Sequence, residues 1–301
     1  MNTENSSVCS VKHAYLIIAH KNDHTFHTLL TLLDDARNDI FVHMDAKCKS
    51  YVPDEVDKTV RHSALYHAPN RLNVQWGGYS QIRAELLLLE EATSHGHYAY
   101  YHLLSGEDLP IKPQDSIHAF FDLHRGKEFV HFEGDVFYHK FRVSLYHLFQ
   151  ESLGRSHGVW GRLNSLFLRI QQVLKIQRNK NVVFQHGANW FSITDELARF
   201  VLGQSAWIHS TFKNTLCADE IFLQTIVHNS EYAGRLFHPR YDDANQAIMR
   251  LIDWKRGSPY IWRISDKQEL LQSNMLFARK FNSEVDKDII DFISSFLKSQ
   301  S

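Results

Sequence analysis

Cysteine is scarce, and what there is of it is badly placed for covalent or metal work. Cys9, Cys48 and Cys217 are odd in number, far apart and without a CxxC pair. That excludes a disulfide framework and a thiolate zinc site, and fits a reducing compartment. No run approaches the ~18 apolar residues of a membrane span, and Met1 to Val11 is polar, without the apolar core of a signal peptide. The expectation is a cytoplasmic protein whose residues 1–12 are disordered. Net charge is also missing: 33 basic residues face 34 acidic ones. No global field draws the chain to nucleic acid, so an anion site must be local. Histidine, at 20 residues, invites a metal site. Its closest pair, His95-Gly96-His97, has no HExxH or His/Cys cluster beside it, so no metal is assigned.

What is present is an ordinary globular balance, 44% hydrophobic and 22% charged over 301 residues, enough for one large domain or two lobes around a cleft. Ala14 to His20 reads as a buried strand. A helix follows with Phe26, Leu29, Leu30 and Leu33 inward, and Ile40 to Asp45 is a second buried strand. Strand, helix and strand make a βαβ unit, and parallel sheets hold ligands at the carboxyl ends of their strands. His20 and Asp45 fall at such ends, Asp45 with a loop cap as its other reading. Residues 64–75 give a weaker strand, Gln81 to Ser94 a strong helix, and Tyr98 to Leu104 an aromatic strand. That strand runs into Ser105-Gly106-Glu107-Asp108, where Asp108 is either a third strand-end acid or a cap on the loop's own amides.

Beyond Lys127 the character changes. Residues 128–150 read as extended structure with an amphipathic ending. From Val159 to Ile176 apolar residues recur at helical spacing beside Arg162, Arg169 and Lys175. The pattern predicts a helix docked on the core with a solvated basic side, or one lying on an anionic membrane. Val182 to Phe184 and Asn189 to Ile193 read as strands about Gly187, and Thr194 caps a helix from Asp195 to Leu202. In Cys217-Ala218-Asp219-Glu220-Ile221-Phe222, two carboxylates head a short inward-packing helix. Glu220 is a candidate general base in its first turn. Asp219 is a cap or a carboxylate that positions its neighbour. A final helix begins near Asp286.

Strand-end acids, a carboxylate entering a helix and basic residues near the C-terminus together suggest transfer from a phosphorylated donor, with a sugar nucleotide fitting well. The single strict Asp-x-Asp, Asp286-Lys287-Asp288, looks like a helix cap. Lysine or arginine then replaces a metal at the diphosphate.

The ordered motifs AYLIIAHKN, FVHMDAK, WGGYSQIRAELLLLEEA, YYHLLSGEDLPIKP, GANWFSIT, ADEIFLQTI, RLIDW and MLFARKF span residues 13–285. In that order they resemble the core-2/I-branching N-acetylglucosaminyltransferase and peptide O-xylosyltransferase family, in a short bacterial form without anchor or stem. The resemblance implies an α/β GT-A fold and inverting, metal-independent transfer from a UDP-sugar to a glycan or lipid-linked acceptor. N-acetylglucosamine is the favoured sugar, with xylose, galactose or another remaining open. It puts the donor in a half over 13–125 and the acceptor in a half over 126–285, with a C-terminal helix over 286–301, all one domain. Glu220 takes the catalytic base, Asp45 the uridine-side acid and Lys280 the diphosphate lysine. Trp254 borders the acceptor sugar and Arg142 contacts the acceptor. Arg256, or Arg263 in its place, is the second diphosphate contact. The alternatives are a core aromatic at Trp254, a solvated charge at Lys280 and, for the whole chain, a non-catalytic carbohydrate- or nucleotide-binding module.

Overall fold

The computed structural model describes residues 12–153 and 159–300. The expected disordered segment and Cys9 therefore lie outside the described residues, Lys12 excepted. Among the described residues nine strands form two sheets. The larger contains β1 (His13–Ala19), β2 (Asn38–Met44), β3 (Ala64–His67), β4 (Tyr100–Ser105), β6 (Phe129–Val130) and β7 (Phe191–Ile193) in the order β3-β2-β1-β4-β7-β6. The smaller contains β5 (Asp108–Pro110), β8 (Arg250–Ile252) and β9 (Phe277–Arg279) in the order β5-β9-β8.

β1 is the hub because both of its faces are apolar. Ala14 and Leu16 join a cluster with Ile82, Leu89 and Tyr101 on one face. Tyr15, Ile17 and Ala19 join Phe26, Leu29 and Leu30 on the other, as the two-residue period of a strand requires. The strand pairs in parallel with β2 (Ile17↔Val42) and with β4 (Ile17↔Leu104). Covered faces are the condition under which parallel strands are stable. The covering helices are His24–Leu33, capped by Asp23 accepting from the Phe26 amide at 3.0 Å, and Ser80–His95.

The two expected halves interlock. β7 and β6, both from beyond residue 126, extend the first half's sheet in antiparallel sense through Tyr101↔Ile193 and Phe129↔Ser192. β5 from the first half pairs with β9 from the last. Arg250 ties the sheets together: fully buried, it donates to the carbonyls of Leu103 at 2.9 Å and Phe191 at 2.8 Å. Burial lowers its pKa to about 10, and the three carbonyl bonds, the third to Ile248, keep it solvated by backbone. The terminal helix, Lys287–Lys298, starts at Asp286, whose carboxylate accepts from the Ile289 amide at 3.1 Å, and buries Ile289, Ile290 and Ile293.

Three readings of the sequence are corrected. Val182 to Phe184 lies in no strand, with Val183 exposed, and within 128–150 the only strand among the described residues is β6. The segment Val159–Val173 is helical as expected, but it is not docked by its apolar side: Leu163, Leu166, Ile170 and Val173 are 47% to 81% exposed.

A buried histidine network lies under the sheet. His102 bonds Ser192 Oγ at 2.8 Å and His13 at 3.0 Å, and His118 donates to Asn38 Oδ1 at 2.9 Å. Burial depresses all three pKa values, His118 to about 4. The unfolded chain therefore binds protons below about 6.5 that the folded chain refuses, so stability is full above that pH and falls below it. Urea unfolding at pH 5 should show lower stability than at pH 7.5. His118→Gln, which retains a donor to Asn38, should lose less on the same acidification, by up to about 1.4 kcal/mol per pH unit. An unchanged pH dependence in the variant would show that His118 is not linked to folding.

Candidate active site

The turn bearing the two carboxylates is held by the segment before helix Ser80–His95. Gln81 uses both ends of its amide: Oε1 accepts from the Gly77 amide at 2.6 Å and Nε2 donates to Asp219 Oδ2 at 2.7 Å. The Gly77 carbonyl accepts from the Cys217 amide at 2.9 Å. Gly77 has φ +68°, and a Cβ there would stand 3.1 Å from Cys217 Sγ, so glycine is needed for the backbone and for the contact. Cys217 is itself left-handed, with φ 47°. Ala218–Glu220 then forms a 3-10 turn ahead of helix Phe222–His228. Glu220 thus precedes the helix instead of lying in its first turn. Asp219 does not cap; its carboxyl is buried against Gln81.

On the far side the Glu220 carbonyl accepts from the Gly187 amide at 2.9 Å. A Cβ on Gly187 would fall 1.9 Å from the His131 carbonyl oxygen, so only glycine lets the GANW loop come this close. Glu220 Oε2 accepts from Arg142 Nη1 at 2.7 Å and lies 3.2 Å from His186 Nε2, while its side chain stays 38% exposed. Arg142, expected at the acceptor, is here the base's ion-pair partner.

The adjacent acids are driven apart. Burial, then the charge of Glu220, pushes Asp219 up to about 7. Burial also pushes Glu220 upward, but hydrogen bonds from His186 and Arg142 outweigh it and hold the carboxyl below its usual range. Beneath them Glu85 is fully enclosed and raised well above the carboxylate range by burial, then by Asp219. Of the three, Glu220 is the one whose surroundings favour the ionised form. Environments that push neighbouring carboxyls apart in this way suit one of them to accept a proton.

A second set stands at the carboxyl ends of the strands. His20 follows β1, with Nε2 3.9 Å from Glu107 Oε1, and Lys280 Nζ is 3.0 Å from Glu107 Oε2. Glu107, which the sequence reading passed over, joins these two residues from opposite ends of the chain. Asp45 is buried after β2 and accepts from the Lys47 amide at 2.8 Å and the Val74 amide at 3.3 Å. Of the two readings of Asp108 the structure shows the loop cap: it is buried and accepts from the Ser105 amide at 2.7 Å, Ser105 Oγ at 3.0 Å and Arg279 at 2.7 Å.

The guanidinium of Arg256 is held by Asp253, by Asp266 at 3.0 Å and by Glu269 at 2.9 Å. Arg263 is exposed and makes no ion pair among the described residues, so it is the arginine with donors to offer. Trp254 is 58% exposed and is no core aromatic. The structure thus gathers Glu220, Asp219 and Arg142 in one set and His20, Lys280 and Glu107 in another. Trp254 and Arg263 have no hydrogen bond to either among the described residues.

The chain thus presents a mixed sheet with parallel central strands, acids and a lysine beyond the strand ends, and a partly exposed carboxylate on a glycine-braced turn. Residues 13–270 match the Core-2/I-Branching enzyme family, and the chain belongs to this family of glycosyltransferases. It is similar to xylosyltransferase 2 of Rattus norvegicus, 23% identical over 95% of this chain and 34% of that protein. It is likewise similar to xylosyltransferase sqv-6 of Caenorhabditis elegans, 23% identical over 83% of this chain and 32% of that protein. The chain therefore spans about a third of the length of these relatives. The crystal structure of mouse xyloside xylosyltransferase 1 aligns over 88% of this chain and 96% of its own, with a TM-score of 0.39 and 9% identity.

Removing the Arg142 guanidinium takes away one of the two hydrogen bonds that lower the Glu220 pKa. In Arg142→Ala the carboxyl carbon of Glu220, followed by 13C NMR, should titrate at higher pH than in the wild type. A midpoint that does not move would place the Arg142 ion pair outside the control of this base.

Proposed function

We propose that the protein is an inverting, metal-independent glycosyltransferase that moves a sugar from a UDP-sugar to a hydroxyl of a glycan or lipid-linked acceptor, forming a β linkage. The observation that carries this reading is the division of charge at the turn, with Glu220 ionised and half exposed beside a buried, raised Asp219. An acceptor hydroxyl entering the cleft replaces Arg142 as the hydrogen-bond partner of Glu220. Loss of that cation raises the basicity of the carboxylate at the moment it receives the proton. The acceptor oxygen attacks the anomeric carbon, the bond to the diphosphate breaks on the opposite face, and UDP departs with the bonding pair. General-base help of this kind is worth about 10²- to 10⁴-fold.

Lys280 and Arg263 offset the diphosphate charge in this reading, and Asp45 and His20 flank the nucleoside. Support for a donor site without a metal is that the Asp-x-Asp carboxylate Asp286 is occupied as a helix cap. Resemblance favours N-acetylglucosamine; the names of the relatives above favour xylose as the second sugar to test. Glu220→Gln should abolish transfer and spare UDP binding measured by calorimetry. Lys280→Ala and Arg263→Ala should each weaken UDP binding, and Arg256→Ala should do so less. Transfer near the wild-type rate in Glu220→Gln would remove the base assignment, and unchanged UDP binding after loss of Lys280 would remove the donor assignment.

The proposed setting is bacterial surface polysaccharide synthesis, in the cytoplasm at the inner face of the membrane. No helix of the described residues is long and apolar enough to cross a membrane. Contact at a surface is supported by helix Val159–Val173, whose exposed Leu163, Leu166 and Ile170 accompany exposed Arg162 and Arg169. Apolar residues entering a headgroup layer and cations meeting anionic lipid are the two contributions that hold an interfacial helix. The protein should cosediment with vesicles containing phosphatidylglycerol, and Arg162→Gln/Arg169→Gln should reduce the bound fraction. Equal binding to zwitterionic vesicles, or none to either, would end the membrane reading.

A further inference from the structure

We propose that Glu133, His139 and His186 form a binding site for a divalent transition-metal ion of the zinc type on the wall of the cleft beside Glu220. The site is assigned on geometry and stands whether or not the transfer reading does. Glu133 Oε2 lies 2.9 Å from His139 Nε2 and 2.8 Å from His186 Nδ1, and one ligand atom from each of the three residues falls within 4.8 Å of the others. The two imidazoles face each other with centroids 4.0 Å apart and planes at 33°.

Preorganisation comes from the backbone. The Glu133 amide donates to the His186 carbonyl at 2.9 Å, which fixes the two ligand-bearing segments side by side. Gly187 permits this approach, since a Cβ there would strike the His131 carbonyl. His139 enters from the residue that starts the short helix Lys140–Ser144.

A second observation separates this cluster from an ordinary hydrogen-bonded trio. His186 Nδ1 is buried and makes no hydrogen bond of acceptable geometry, although a carboxylate oxygen stands 2.8 Å away. A ring nitrogen close to a carboxylate but not aimed at it is better served by an ion bound to both. Metal–ligand bonds of about 2.0 Å in a tetrahedral shell set ligand atoms about 3.3 Å apart, so the side chains need to open by about half an ångström. Glu133, 46% exposed, has room to do so.

Donor chemistry selects the ion. Two imidazoles and one carboxylate suit zinc and its first-row neighbours, whereas magnesium and calcium prefer all-oxygen shells. Three protein ligands leave a fourth position for water. On the other edge of its ring His186 Nε2 lies 3.2 Å from Glu220 Oε2, the carboxylate–histidine arrangement that orients an imidazole ligand from behind. The candidate base would then serve as the outer partner of the ion.

The test uses the full chain, stripped of metal and titrated with Zn²⁺ alone against a chromophoric chelator, with excess Mg²⁺ present. One Zn²⁺ per chain should bind, and affinity should fall at least ~10-fold in both His139→Ala and Glu133→Gln. Thermal unfolding without zinc establishes that each variant is folded, and two chemically different variants guard against loss of fold in one. UDP binding should be the same in both variants and the wild type, so failure of this site and failure of the donor reading are separate results. Absence of stoichiometric binding by the wild type, or undiminished affinity in the two folded variants, overturns the assignment.

Discussion

The side-chain amide of Gln81 is the contact on which the turn bearing Asp219 and Glu220 depends. It joins the Gly77 amide, at the entrance to a helix packed on the sheet, to the buried carboxyl of Asp219. An enclosed carboxyl without a partner is costly to charge. Asp219 has a donor for one oxygen and none for the other among the described residues, and this partial satisfaction goes with its raised pKa. The upward shift of Asp219 in turn eases the charge on Glu220 one residue away, which hydrogen bonds from His186 and Arg142 also stabilise.

Rigidity reaches this turn from the donor edge through a continuous piece of chain. The Val74 amide donates to Asp45 at the end of β2, and three residues later the Gly77 carbonyl accepts from Cys217. The segment between β3 and helix Ser80–His95 therefore touches the strand-end acid with its first part and the turn bearing Asp219 and Glu220 with its last. Groups placed to act together on one ligand need such a shared frame, because small errors of placement are expensive in rate. The sheet provides the same coupling at larger scale, with β6 and β7 added to β4 and Arg250 bonded to carbonyls of both β4 and β7.

Local patterns in the chain were good guides wherever one element decides its own structure. The buried strands, the Thr194 and Asp286 caps and the helix over 80–95 all follow from apolar period or capping chemistry within a few residues. Roles that depend on distant partners were not legible in that way. Asp108 stayed open between strand-end acid and loop cap because Arg279, which pairs with it, is far off in sequence, and the ion pairs of Arg256 with Asp266 and Glu269 become visible only in the fold. Glu133, His139 and His186 are separated by up to 53 positions (186 − 133) and match no metal-binding spacing. Glu107 stood in the SGEDLP loop beside a residue that drew the attention, and only the chain's return through β9 set Lys280 against it.

The abundance of histidine also acquires a physical sense once the residues are sorted by what surrounds them. Burial lowers the pKa of His13, His27, His43, His102, His118, His131 and His147, so each favours the folded chain above about pH 6.5 and opposes it below. Buried carboxyls act in the other direction. Glu85, Glu128 and Asp219 are raised, so the cost of folding them falls as the pH drops from about 7 toward their unfolded values near 4. Glu220 departs from those three: burial pushes it upward too, but the hydrogen bonds from His186 and Arg142 outweigh that and hold it below the usual carboxylate range. The buried imidazoles and the buried, raised carboxyls therefore pull the pH dependence of folding in opposite directions, while the partly exposed carboxylate of the turn is biased toward its ionised form by its two neighbours.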